Sequence, residues 1–198
     1  RQVYDATIAY MADHDPRIGP DGWVVPVVAE TYDGFLNDSV GGHVKRAHVY
    51  AALDSAGAGP VPEGAVGAGT GMMGFQFKGG IGTASRRVAA NPGSSRGQGP
   101  NVCPGLQSGR STYTVGMLVL CNFGERHQLT IAGVPVGRHI TDLMPARGEG
   151  AASVGEPTAG RREGSIILVA ATDAPLLDRQ LGRICRRAML GLARTGST

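Results

Sequence analysis

A chain of 198 residues, 41% hydrophobic and 18% charged, has the size and composition of one globular domain with its own core, and it excludes disorder as the organising principle. The formal charge is only +3, and Arg179, Arg183, Arg186 and Arg187 lack the interleaved aromatics of a nucleic-acid surface, so they read as a solvated helix face. Apolar runs such as 115–121 are too short to span a bilayer, and three cysteines without CxxC spacing read as reduced, buried thiols in a cytoplasmic, reducing compartment.

The abnormal count is 32 glycines, about twice the ordinary share of ~7%. Without a collagen or linker repeat, it implies tight turns and close backbone approaches. The chain begins at Arg1 inside a helix-like segment and ends in the polar Arg194–Thr198, so 1–198 reads as a single domain that is incomplete at both ends.

Val3, Tyr4, Thr7, Ile8 and Met11 fall at helical spacing, and His14-Asp15-Pro16 closes that helix. Trp23–Ala29 reads as a strand that Pro26 confines to an edge or a bulge. Glu30, Asp33 and Asp38, beside Asn37, offer the hard oxygens that calcium takes, but their spacing does not fit a twelve-residue calcium loop, and turn bonding is the preferred reading. Asn37-Asp38-Ser39 matches a glycosylation acceptor with nothing to indicate secretion. A helix over 43–53 follows, on which His43 and His48 are wrongly spaced for a zinc pair. No metal site and no cofactor is expected.

Residues 67–74, GAGTGMMG, fail as a dinucleotide fingerprint because Met72 occupies the sixth position and no strand precedes them. They fail as a Walker loop because Lys78-Gly79 runs the wrong way. The remaining reading is a backbone that lines a site. Residues 90–111 read as a surface insertion, 113–121 as a strand ending in the turn Asn122-Phe123-Gly124-Glu125-Arg126, 129–137 as a second strand with a glycine turn, and 145–164 as a loose linker.

That linker delivers the chain to Gly164-Ser165 and then to Ile166–Ala171, an uninterrupted apolar run read as a strand buried on both faces. Asp173 reads as the N-cap of the next helix, with Pro175 in its first turn. Leu177, Leu181, Ile184, Cys185, Ala188, Met189 and Leu192 form its core-facing stripe.

Ser165 has no GxSxG elbow and no histidine in a triad context. One route needs neither. If the Gly164–Ser165 bond is cut, Ser165 gains a free α-amino group with an ordinary pKa of about 7.7–8.0, able to act as base for its own hydroxyl.

Four segments, PVVAETYDGFLND (26–38), GAVGAGTGMMGFQFKGGIGTASR (64–86), YTVGMLVLCNFGERHQLTIAGVPVG (113–137) and GSIILVAATDAPLLDRQLGRICRRAMLGLARTGS (164–197), resemble the DmpA-type aminopeptidases in their order along the chain. This is the L-aminopeptidase/D-esterase family with its β-peptidyl aminopeptidases, self-processing hydrolases of the N-terminal-nucleophile type. The resemblance implies an α+β fold, a four-layer αββα sandwich. It implies autocleavage between Gly164 and Ser165, with 1–164 part of an α chain and 165–198 the start of a β chain, and hydrolysis of N-terminal residues from short peptides, amides or esters. Ser165 is then the nucleophile of both reactions, and Asn122 donates to the developing oxyanion. Gly69, Thr70 and Gly71 line the pocket, and Glu30 or Asp33 receives the substrate ammonium.

Where the resemblance implies a tyrosine that orients substrate, this chain has Phe35, so that hydroxyl is lost or comes from Tyr32. It also implies a second serine and an acidic residue shortly beyond Thr198, and a tetramer of αβ units. The alternatives are an acyltransferase of the ornithine acetyltransferase type or a nylon-oligomer hydrolase, both of which favour threonine at the cleavage point, and an inactive binding or assembly protein of the same fold.

Overall fold

Three apolar segments pair into one antiparallel sheet in the computed structural model, which describes residues 1–19, 21–89, 112–143 and 164–196. The expected insertion at 90–111, Cys103, and the linker up to residue 163 lie outside the described residues. Strand β4 (Thr112–Asn122) is central, flanked by β3 (Ile81–Ala89) and β5 (Ser165–Thr172). A small hairpin, β1 (Met73–Gly74) with β2 (Phe77–Lys78), precedes them. The helices are α1 (Gln2–His14), α2 (Arg46–Asp54), a single turn α3 (Val136–His139) and α4 (Asp178–Ala193).

The ends of the two longest helices have local causes. Helix α1 stops at Asp15, which is extended (φ −132°, ψ 105°) because the following Pro16 disfavours helical backbone before it. It packs on α2 through the Tyr10 ring, edge-on to Tyr50 at 5.0 Å, with the Tyr10 hydroxyl donating to Asp54 at 2.8 Å. At the other end of the chain, the Leu177 N–H donates to Gln180 Oε1 at 2.8 Å, so the first turn of α4 is satisfied from within.

Successive side chains on a strand alternate between faces, and cross-strand partners share one. Met117, Val119, Ile166 and Leu168 face α4 and line, with Ile184 and Leu192, an apolar cavity of about 830 Å³. Leu118, Leu120, Asn122, Ser165, Ile167 and Val169 occupy the opposite face by register. That face is closed at Leu120, 4% exposed, and open at Val169, 50% exposed, so β5 is not buried on both faces as expected.

Several sequence expectations need correction. Trp23–Ala29 has no regular secondary structure and joins no ladder among the described residues, with Trp23 84% and Val27 98% exposed; Pro26 supplies no N–H to pair. The strand expected over 129–137 is one bridged pair, Ile131 with Val134, because Ala132 and Gly133 both take left-handed backbone (φ 50° and 86°) and reverse the chain at once. Pro135, also without an N–H, then leads into α3.

Asp173 does not cap α4. Its Oδ1 accepts from the Thr114 N–H at 2.6 Å, which closes the end of the sheet, and the helix starts five residues later. The contact stripe of α4 is the single row Ile184, Ala188 and Leu192, whereas Leu181, Cys185 and Met189 are exposed. The expectation of buried thiols therefore fails at Cys185.

Leu120 lies buried near the C-terminal end of the central strand, paired with Ile81 on one side and Ile167 on the other. Leu120→Ala is expected to cost about 2–5 kcal/mol of stability, and Val88→Ala, on an exposed strand end, within about 0.5 kcal/mol of zero. Denaturant unfolding of the two variants in parallel checks the contrast.

Candidate active site

Ser165 opens β5 and Asn122 ends β4, and the antiparallel register sets the two directly opposite each other. Direct partners share a sheet face with Cβ atoms about 4.5–5.5 Å apart. Gly164 lies against Phe123, where a Cβ would come within 2.4 Å of the Phe123 Cβ. The bond between residues 164 and 165 is thus presented at the strand's mouth, beside the turn that follows Asn122.

Each of the two polar side chains is held by a main-chain donor from elsewhere. The Tyr32 N–H donates to Ser165 Oγ at 3.1 Å, and the Met73 N–H donates to Asn122 Oδ1 at 3.2 Å. An amide that accepts through Oδ1 keeps its Nδ2 hydrogens for another acceptor. A serine hydroxyl that accepts one N–H keeps its own proton to give to a base.

The glycine loop packs against its neighbours as backbone. A Cβ on the buried Gly69 would stand 2.4 Å from the Gly64 carbonyl oxygen and 2.9 Å from the Ile81 nitrogen, so only glycine fits. A Cβ on Gly71 would meet the Asp33 Cβ at 2.7 Å, which places Asp33 against the loop. Asp33 also accepts from Asn37 Nδ2 at 2.8 Å. Thr70 is exposed and its hydroxyl donates to the Gly67 carbonyl at 2.8 Å. Lys78, which matched no phosphate loop, grips the same turn: Nζ donates to the carbonyls of Gly69 at 3.3 Å, Met72 at 3.4 Å and Gly79 at 2.8 Å.

The structure therefore gathers Ser165, Asn122, Gly69, Gly71 and Asp33 through named contacts. It leaves Glu30 exposed two residues before Tyr32, and Phe35 half-buried. The Tyr32 ring folds back over Gly34, where a Cβ would meet its hydroxyl at 2.3 Å, so the contribution of Tyr32 to Ser165 is its backbone N–H. Asp38 accepts from the N–H groups of Val40 at 3.2 Å and Gly41 at 3.0 Å, which is the turn bonding preferred over a calcium site. Among the described residues, no group of three or more His, Cys, Asp or Glu is placed to share a metal ion, and no helix is long and apolar enough to cross a membrane.

The two N–H donors, and the grip of Lys78, escaped the sequence reading. Main-chain donors carry no residue-type signature, and the Tyr32 contact spans 133 positions of chain.

The family model of Peptidase family S58 matches residues 1–198. The chain is 45% identical over 196 residues to the beta-peptidyl aminopeptidase BapA of Sphingosinicella microcystinivorans, covering 98% of this chain and 44% of that protein. Among solved structures, it is similar to the PH0078 protein of Pyrococcus horikoshii OT3 (TM-score 0.76, 43% identity, 100% of this chain and 46% of that one). It is also similar to the L-aminopeptidase D-Ala-esterase/amidase of Ochrobactrum anthropi, a prototype for the serine aminopeptidases and a variant of the Ntn hydrolase fold (TM-score 0.75, 41% identity, 99% and 46%). The chain thus spans less than half the length of these relatives. With the α+β fold of those structures and a family match along its whole length, it belongs to peptidase family S58.

Proposed function

We propose that the protein is a self-processing serine aminopeptidase that cuts its own chain before Ser165 and then removes N-terminal residues from short peptides, amides or esters. The observation that carries this reading is the Asn122–Ser165 pair, with Ser165 Oγ already oriented by the Tyr32 N–H. In the first reaction Oγ adds to the Gly164 carbonyl, its proton passes to the departing nitrogen, and the resulting ester is hydrolysed by water. The products are a Gly164 carboxylate and a free Ser165 amine.

In the second reaction that amine, with an ordinary pKa of about 7.7–8.0, takes the hydroxyl proton as Oγ attacks a substrate carbonyl, and it returns the proton to the leaving amine. Asn122 Nδ2 donates to the oxygen on which charge develops, since Oδ1 is committed to Met73. Asp33 is the better placed of the two acids to receive the substrate ammonium, because it lies on the Gly71 wall and one residue from the contact to Ser165. Gly69, Thr70 and Gly71 form that wall. A tetramer of αβ units in a cytoplasmic setting completes the reading, with the exposed Trp23 and Val27 as surface for assembly.

The intact mass of the native protein is expected to show two chains parted between Gly164 and Ser165, and Ser165→Ala a single uncut chain. An uncut wild type, or a cut Ser165→Ala, refutes the reading. Asn122→Ala is expected to fold and to lower kcat on an aminoacyl p-nitroanilide by about 10²–10³-fold, as loss of one oxyanion donor does, and steady-state kinetics on pre-cleaved enzyme check it.

A further inference from the structure

Arg126 is the buried charge of the described residues, 6% exposed, and nothing in the reaction above uses it. It stands four residues after Asn122, in a 3₁₀ turn, and its guanidinium lies over the Phe77 ring at 3.8 Å from the centroid. Nη1 donates to the carbonyls of Ile140 at 3.2 Å and Asp142, and Nη2 to those of Gln76 and Leu143, the latter at 3.2 Å. The Arg126 N–H donates to Gln76 Oε1 at 3.2 Å. Its Nε is buried without a partner among the described residues, where the group is held by four carbonyls and a ring rather than by an acid.

Two of those carbonyls belong to residues in left-handed backbone, Gln76 (φ 59°) and Leu143 (φ 59°). Non-glycine residues persist there only where their surroundings over-determine them. Phe75 beside Gln76 is left-handed too (φ 50°), and its ring sits edge-on to Phe123 at 5.1 Å, in the space left by the absent side chain of Gly124. The Phe75 N–H donates to the Phe123 carbonyl at 2.8 Å. The strained turn of the β1–β2 hairpin is therefore fastened to residues 123–126 from both sides. Its strand β1 carries the Met73 N–H that orients Asn122 Oδ1.

Resting on the function proposed above, we infer that Arg126 is a positioning residue that acts through Asn122. It locks the Phe75-Gln76 turn, the turn places the Met73 N–H, and that N–H aims the Asn122 amide at the oxyanion. With its other donors Arg126 pins residues 140–143, from which the chain runs on toward the scissile Gly164–Ser165 bond. One guanidinium thus ties the β1–β2 turn to residues 140–143. A fork of planar donors spanning four carbonyls is a task that lysine, a single ammonium, performs poorly.

Arg126→Lys and, as a milder second variant, Gln76→Asn test this in the native protein. Asn tolerates left-handed backbone but is too short to reach the Arg126 N–H. Each is expected to slow autocleavage and to lower kcat on an aminoacyl p-nitroanilide by about tenfold, with KM within about twofold, equivalent to about 1.4 kcal/mol of barrier. In an Asn122→Ala background the further loss should vanish, because the residue through which Arg126 acts is gone. Independently of activity, the Met73 amide in uncut Ser165→Ala protein is expected to exchange its hydrogen about tenfold faster once Arg126→Lys is added, reporting a loosened hairpin. An unchanged Met73 exchange rate overturns the inference whether or not the enzyme is active. So does a loss of kcat that is the same with and without Asn122. A wild type that is inert and uncut refutes the proposed function alone, and the exchange measurement still decides whether Arg126 holds the hairpin.

Discussion

The antiparallel register of β4 with β5 is the constraint on which the site depends. It runs from Val115 opposite Thr172 to Asn122 opposite Ser165, so the pair at the strand mouth is the last rung of a long ladder. A slip of one residue would send Ser165 and Asn122 to opposite faces of the sheet, because side chains alternate with period two. Register is strongly specified wherever one face is buried, and here Met117, Val119, Ile166 and Leu168 must all face α4 together. The apolar packing of one face thus sets the chemistry of the other.

What the ladder does not supply is orientation of the polar tips, and the chain takes that from main-chain donors. The N–H groups of Tyr32 and Met73 come from segments far from Ser165 and Asn122 in sequence, and both segments are placed by close contacts. Gly71 admits Asp33, and with it the 32–37 turn; Gly69 admits the Gly64 carbonyl; Lys78 ties down the carbonyls between them. Dipoles fixed before a substrate arrives need no reorganisation during reaction, which is the condition under which one amide donor is worth several kcal/mol. The abundance of glycine noted from composition is in this sense a site property.

The legible part of the molecule was the part where one local signal dominates. Apolar runs located β4 and β5 to within about a residue, and Ser165 at the start of β5 followed from them. The glycine stretch, read as close backbone approach, does bring main chain against main chain at Gly69 and Gly80. Misreadings fell where tertiary partners compete with local preference. Asp173 has the chemistry of a cap but meets the Thr114 N–H across the sheet first. Trp23–Ala29 has strand composition but lacks a ladder partner among the described residues. Ile131–Val136 alternates like a strand, yet an alanine and a glycine in left-handed backbone fold it back after one rung. Arg126 looked like part of a polar turn, since burial of an arginine on carbonyls leaves no pattern in sequence.

Period two also separates two neighbouring residues of very different character. Asn122 faces the serine, while Cys121, one position earlier, lines the apolar cavity beneath α4, where its burial pushes the thiol above its ordinary pKa. Thiolate is the reactive form of cysteine, so the stronger nucleophile of this strand is kept protonated and on the wrong face. The cavity itself, about 830 Å³, lies across the sheet from the serine and is lined mainly by apolar side chains. Size of cavity and intrinsic reactivity of side chain would both direct attention to that face. Geometry directs it to the other, to Ser165, a weak nucleophile whose proposed means of activation is the amine that cutting the chain before it would free.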